Sequence, residues 1–238
     1  MDTNDREALA RAFGYPYGVP GFSYLFEDGV VAPVDGADFG GRTPVLAYGS
    51  NASPDQLIRK FGDLSGVTIP VTRAAVADVD VVYAALFAHY GSVPATIHDS
   101  PGTTAFVHVT WLTAEQLDRM HASEGAGSVY LYGRLSGDRV TWSDAPPAGE
   151  VSVYVAAAGA VGPEPIALES IPAKGRVFEA VGQAEMLRLA RDRLAPGTAL
   201  EAFMLDTIRD PALRGERSAA LAAEAVPMAL EGFTPLGA

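Results

Sequence analysis

At 238 residues the chain is long enough for one sizeable core, and 48% apolar against 19% charged residues is the composition of a soluble globular protein. A net charge of −12, from 29 acidic and 17 basic residues with no extended Lys/Arg cluster, argues against nucleic acid and anionic membrane surfaces as partners. The absence of cysteine excludes disulfides, thiolate metal sites and a Cys nucleophile.

The start, Met1-Asp2-Thr3-Asn4-Asp5-Arg6-Glu7, is acidic and polar with no apolar stretch behind it, so no signal peptide is expected and a cytoplasmic location is the default. A short polar helix is predicted at about Asp5–Phe13. Tyr15, Tyr17, Phe22, Tyr24 and Phe26 then follow in Gly- and Pro-rich sequence without helical or strand periodicity. That much aromatic area predicts that residues 1–42 form an arm packed on the body, with part of it a candidate roof for a pocket.

Next comes a buried strand, Pro44–Tyr48, a tight turn at Gly49-Ser50-Asn51 and a helix, Pro54–Phe61. Ser53 reads as the N-cap, Pro54 as the first helical residue and Gln56 as the return arm of a capping box. Successive backbone N–H groups beside a helix N-terminus suit an anion such as a carboxylate. Gly49 lacks the Cβ that would keep a ligand off that backbone. Ser50 is no nucleophile candidate, since its context is not Gly-x-Ser-x-Gly.

Strands are predicted at Ala75–Phe87 and Ala105–Leu112, with His98-Asp99 in a turn before Ser100-Pro101-Gly102. The four histidines, His89, His98, His108 and His121, fit no zinc spacing; a metal site would need His98, Asp99 and His108 to converge in the fold. Thr113-Ala114-Glu115-Gln116 is a capping box opening a helix at Ala114–Ser123. Leu117, Met120, His121 and Glu124 then fall at i, i+3, i+4 and i+7, so Glu124 shares the apolar, inward face. Desolvation and the macrodipole both disfavour a charge at that helix end, which is the tuning an acid/base catalyst near neutral pH needs. The alternatives are a solvated Glu124 on a fraying turn, or one paired with an internal basic residue. His121, one turn earlier, either tunes Glu124 or serves as a packing histidine.

Further strands are predicted at Ser128–Leu135, Arg139–Trp142 and Val151–Ala156, with Ser136-Gly137-Asp138 as a hairpin turn. Val151, Val153 and Val155 alternate as a half-buried strand should, which sets Tyr154 on the opposite face. The basic pair of Lys174-Gly175-Arg176 either steers an acidic substrate or belongs to a solvated turn. Helices follow at about Glu179–Leu194, from a Thr198-Ala199-Leu200-Glu201 capping box with Leu200, Phe203 and Met204 inward, and within 211–225. The longest apolar runs, around Val81–Ala88 and Val153–Val161, are too short to span a bilayer. The expected architecture is α+β: a small mixed barrel of about six strands with flanking helices, at 43–195, followed by a helical extension at 196–238.

Four elements stand in register: Tyr48-Gly49-Ser50-Asn51 after an apolar strand, Pro94-Ala95-Thr96-Ile97, Ser100-Pro101-Gly102, and Ser123-Glu124-Gly125 after a strand and a helix. In order and spacing the chain resembles the γ-glutamylcyclotransferase-like family over roughly Thr43–Leu194. The resemblance implies the barrel fold, Glu124 as the catalytic residue and the backbone at Tyr48, Gly49, Ser50 and Asn51 as the holder of a γ-glutamyl α-carboxylate. It also implies Tyr154 as a pocket-facing tyrosine, and a cofactor-independent reaction giving 5-oxoproline and a free amine or amino acid. Tyr130 and Tyr132 are not carried over, because the loop before them differs in length. Ala52 is smaller than the apolar residue usual after the Asn, and Phe61–Thr72 does not reproduce the lysine-bearing loop associated with the animal enzymes. The γ-glutamyl compound therefore stays open. Two rival classes remain: a non-catalytic module that binds a small carboxylate, and a metal-dependent hydrolase. A catalyst needs Glu124 within a few ångströms of the anion turn across one cavity, and a binding module does not.

Overall fold

A computed structural model of the chain describes residues 2–237. Helix α1 (Thr3–Phe13) is capped by Asp2, whose carboxylate accepts the Asp5 N–H at 2.8 Å, and leads into the hairpin β1 (Tyr24–Glu27) and β2 (Val30–Pro33). Strand β3 (Thr43–Ala47) passes through a 3-10 turn at Ser50–Ala52 into α2 (Pro54–Phe61). Two long antiparallel strands follow, β4 (Thr68–Tyr83) and β5 (Ala95–Leu112), then α3 (Ala114–Glu124), β6 (Tyr130–Ser136), β7 (Val140–Trp142) and β8 (Glu150–Ala156). Three short strands, β9 (Ala167–Leu168), β10 (Ala173–Lys174) and β11 (Ala180–Val181), precede α4 (Gln183–Leu194), α5 (Leu200–Arg209), α6 (Pro211–Ala222) and β12 (Thr234–Pro235). Among the described residues no helix is long and apolar enough to cross a membrane.

The twelve strands among the described residues belong to one mixed sheet whose main path runs β11-β9-β4-β5-β3-β8-β6-β12. The expected small barrel of about six strands, closed or half-closed, is not confirmed: the sheet is larger, and the two ends of this path do not meet among the described residues. The reason lies in β4 and β5, which at 16 and 18 residues are long enough to take several partners in succession. Along β4, β1 pairs at Thr68–Val71, β7 at Ala74–Val76 and β9 at Val82, so partners are spread along the strand instead of around a ring. A bulge between Ala77 and Val79 bends the pair; Asp78 and Gly102 both take positive φ there, and the Gly102 N–H donates to the Asp78 carboxylate at 2.8 Å. His98 and Asp99 are accordingly strand residues and not a turn.

Other local readings change for non-local reasons. Ser136-Gly137-Asp138 is not a hairpin turn, because β6 pairs with β8 and β12 whereas β7 crosses to β4. The helix expected from Glu179 begins only at Gln183, since Ala180 and Val181 form a parallel bridge to β9. Helix α5 has Ala199, not Thr198, at its N-cap, and no side chain caps it, yet Phe203 and Met204 are fully buried as the spacing requires. Strand β8 is buried on both faces, since Val151, Val153 and Val155 pack into one core and Tyr154 and Ala156 into another.

The core has two parts. One gathers Leu46, Val81 and Val153 with Leu9 and Ala12 of α1, Leu187 of α4, Phe203 of α5 and Leu221 of α6. The other joins Tyr24 and Phe26 of β1 to Leu57 and Phe61 of α2, Met120 of α3 and Tyr154 of β8. The N-terminal segment is thus part of the body: Tyr15, Tyr24 and Phe26 are buried, and of its aromatics only Phe22 is largely exposed.

Candidate active site

The turn after β3 has the expected outline but different fastenings. Ser53 is the N-cap residue and Pro54 opens α2, yet no capping box forms: the Ser53 hydroxyl and the Gln56 amide nitrogen are buried without partners among the described residues. The turn is held from the N-terminal segment instead, by the Tyr24 hydroxyl donating to the Ala52 carbonyl at 2.5 Å. A Cβ on Gly49 would lie 2.5 Å from the Tyr15 hydroxyl, so what Gly49 makes room for is that phenol. The N–H groups of Gly49, Ser50 and Asn51 find no acceptor among the described residues.

Helix α3 is built as its sequence requires. The Thr113 hydroxyl accepts the Gln116 N–H at 3.3 Å, and the Gln116 side chain accepts the Thr113 N–H at 3.0 Å. Gly125 ends the helix in the left-handed conformation, which leaves Glu124 as its last residue, with Met120 fully buried one turn before. The Glu124 carboxylate is largely sheltered and forms an ion pair with the Lys60 ammonium of α2 through Oε1. This pairing with an internal cation also compensates a negative charge at a helix C-terminus. The same ammonium donates to Asn51 Oδ1 at 2.7 Å, so the carboxylate and the turn lie two hydrogen bonds apart.

Five tyrosines surround this centre. Tyr48 donates to the Tyr154 carbonyl, and Tyr130 donates to the Ala95 carbonyl at 3.0 Å. The Ala95 N–H in turn donates to the Tyr15 hydroxyl at 2.8 Å, and Tyr154 bonds His121 Nδ1 at 2.8 Å. Burial, reinforced by the nearby Glu124 charge, pushes the phenols of Tyr15, Tyr48, Tyr90, Tyr130 and Tyr154 far above their ordinary range. They act as neutral hydrogen-bonding groups, not as bases or nucleophiles. His121 is packed edge-on against Tyr132 at 4.4 Å and tied to Tyr154, the packing role.

One cavity of about 560 Å³ is lined by Tyr48, Gly49, Ser50, Asn51, Glu124 and Tyr154 together. Every residue singled out from the sequence for this site therefore faces the same space. Tyr15, of the segment expected to supply a roof, lines it too, and so do Lys60, Arg11 and Arg59, which were not singled out. A signal existed for Lys60: Gln56 and Lys60 are polar residues at i and i+4 on the helix that leaves the anion turn, and both reach the cavity. Arg11 and Tyr15 come from the N-terminal segment, which thus forms part of the cavity wall.

The donors of the metal reading do not converge. His98 pairs with Asp80 and His108 with Arg73, ten positions apart on β5, and among the described residues no three metal-ligating side chains cluster. Asp99 is held by Arg139 at 3.3 Å and by the Glu231 N–H at 2.7 Å. Arg176 steers nothing, because its guanidinium grips the buried Asp80 carboxylate at 2.8 and 2.9 Å.

His108 has a different consequence. Burial, aided by the Arg73 charge, lowers its pKa to about 4. The unfolded chain takes up a proton near pH 6.5 that the folded protein refuses until about pH 4. Stability should therefore fall from pH 6.5 downward and level off below pH 4. Between pH 7.5 and 4.5 this one group is expected to remove about 2 kcal/mol. Urea unfolding of the wild type and of His108→Gln at the two pH values checks it: the variant should lose less stability by about that amount, and equal losses would contradict the assignment.

No family profile and no curated protein matches the sequence. Solved structures similar to it include the following two. One is an uncharacterised protein from Homo sapiens, at 16% identity and a TM-score of 0.40 over 49% of this chain and 67% of that one. The other is a γ-glutamyl cyclotransferase, at 13% identity and a TM-score of 0.40 over 80% of this chain and 92% of that one. Likeness at this level speaks neither to activity nor to site residues.

Proposed function

We propose that the protein is a cofactor-independent cyclotransferase that converts a γ-glutamyl amide to 5-oxoproline and a free amine or amino acid. The observation that carries this reading is the Lys60 ammonium, which touches both Asn51 of the anion turn and Glu124 inside one cavity. The α-carboxylate of the substrate would accept the unpartnered N–H groups of Gly49, Ser50 and Asn51. Lys60 holds Oε1 of Glu124 and leaves Oε2, which makes no hydrogen bond among the described residues, to take a proton from the α-ammonium. The freed amine attacks the γ-carbonyl of the same molecule, where ring closure gains from proximity. Glu124 then returns its proton to the departing nitrogen as the C–N bond breaks, and takes up the second proton that the ring nitrogen sheds to become the neutral lactam N–H, passing it to the amine, which leaves as its ammonium. Lys60 is a positioning residue in this scheme, and Tyr15 helps to exclude water from the γ-carbonyl.

A second reading is favoured by the ion pair itself. A carboxylate already satisfied by Lys60 is also what a non-catalytic carboxylate-binding module would contain. Release of 5-oxoproline separates the two, since a binding module forms none.

A further inference from the structure

Four charged side chains line the cavity: Arg11, Arg59, Lys60 and Glu124. Lys60 and Glu124 neutralise each other, which leaves two positive charges in excess inside a chain of net charge −12. Neither Arg11 nor Arg59 has a carboxylate partner among the described residues. The Arg11 Nε is moreover buried with no hydrogen-bond partner among the described residues. Other arginines are committed: Arg176 to Asp80, Arg42 and Arg217 to backbone carbonyls. His89, also on the cavity wall, adds no charge, because burial and then the charges of Arg11 and Arg214 lower its pKa.

What positions the two guanidinium groups is aromatic. Arg11 lies 4.6 Å over the Tyr90 ring, Arg59 lies 5.5 Å over the Tyr17 ring, and the two rings are 6.2 Å apart. Stacking fixes a guanidinium plane without consuming its N–H donors, which stay available to a planar oxyanion.

We infer that Arg11 and Arg59 form a second anion subsite that receives a carboxylate on the amine half of the substrate. The inference rests on the cyclotransferase reading of the cavity and narrows it: the substrates are γ-glutamyl amino acids or peptides, with a carboxylate at each end, and not γ-glutamyl alkylamines. The N-terminal segment, through Arg11, becomes a determinant of specificity.

The test uses a matched pair, γ-glutamylalanine and γ-glutamylethylamide, which differ by the one carboxylate. Calorimetric binding and 5-oxoproline release are both measured, for the wild type and for Arg11→Gln, Arg59→Gln and the double variant. The wild type should bind γ-glutamylalanine at least about ten-fold more tightly, the range of a charged hydrogen bond. In the double variant the ratio of the two Kd values should fall to within about two-fold of unity, and thermal unfolding should confirm that the variant is folded. Arg59→Gln alone, on an exposed position of α2, should lower the ratio even if the double variant does not fold. Equal binding of the two compounds by the wild type, no binding of either, or a preference that survives both substitutions would overturn the subsite. A preference in binding without any 5-oxoproline would instead sink the cyclotransferase reading and leave the subsite standing.

Discussion

Glu124→Gln is expected to abolish 5-oxoproline formation, with kcat reduced by at least ~10²- to 10⁴-fold, the usual worth of a general acid–base group. The amide is isosteric and still accepts from the Lys60 ammonium, so the fold and the anion turn should be unchanged and substrate should still bind. What the amide lacks is the ability to take a proton and return it. Steady-state kinetics with a γ-glutamyl substrate, beside calorimetric binding, read the two effects separately. Lys60→Met should be milder, costing about ten-fold in kcat, because it removes the group that orients the carboxylate and not the base itself. Activity of Glu124→Gln within a few-fold of the wild type would assign the chemistry to another group.

The second large effect concerns stability. Asp80 is fully buried on β4, its carboxylate clamped by Arg176 and also accepting the Val81 N–H at 2.8 Å. Removing the guanidinium strands that charge in the core, so Arg176→Met is expected to lower unfolding free energy by about 3–5 kcal/mol. Asp80→Leu combined with Arg176→Met should cost less than the sum of the two single changes, since no lone charge is left behind. Chemical denaturation of the three variants measures this. A loss under about 1 kcal/mol for Arg176→Met would mean that water reaches Asp80.

The features legible in the sequence are those whose causes are local. The Thr113–Gln116 capping box, the helical face that carries Met120 and Glu124, and the Ser53-Pro54 start of α2 each depend on residues within a few positions of one another. Those features also placed most of the site, because a strand end and a helix end are fixed points from which side chains project. What was missed depends on partners far along the chain. The first part of β4 contains Pro70 and Arg73, which read against a strand interior. Pro70 is tolerated because the β5 ladder begins only at Val71, so its missing N–H breaks no bond there. Whether a sheet closes is a property of all its strands together and has no local signature. Arg11 and Lys60 reach the cavity from helices about fifty positions apart, and the turn expected to be fastened by Ser53 and Gln56 is tied instead by the Tyr24 hydroxyl to the Ala52 carbonyl.

Closure of a γ-glutamyl group onto its own α-nitrogen is the reaction we propose for this cavity. It is tested most directly by incubating the purified protein with γ-glutamyl amino acids, peptides including glutathione, and γ-glutamyl amines, and quantifying 5-oxoproline. 5-Oxoproline with an equal amount of released amine is expected from at least one carboxylated compound, and none from the Glu124→Gln protein. Binding of the same compounds with no 5-oxoproline, or release of glutamate instead, would contradict it.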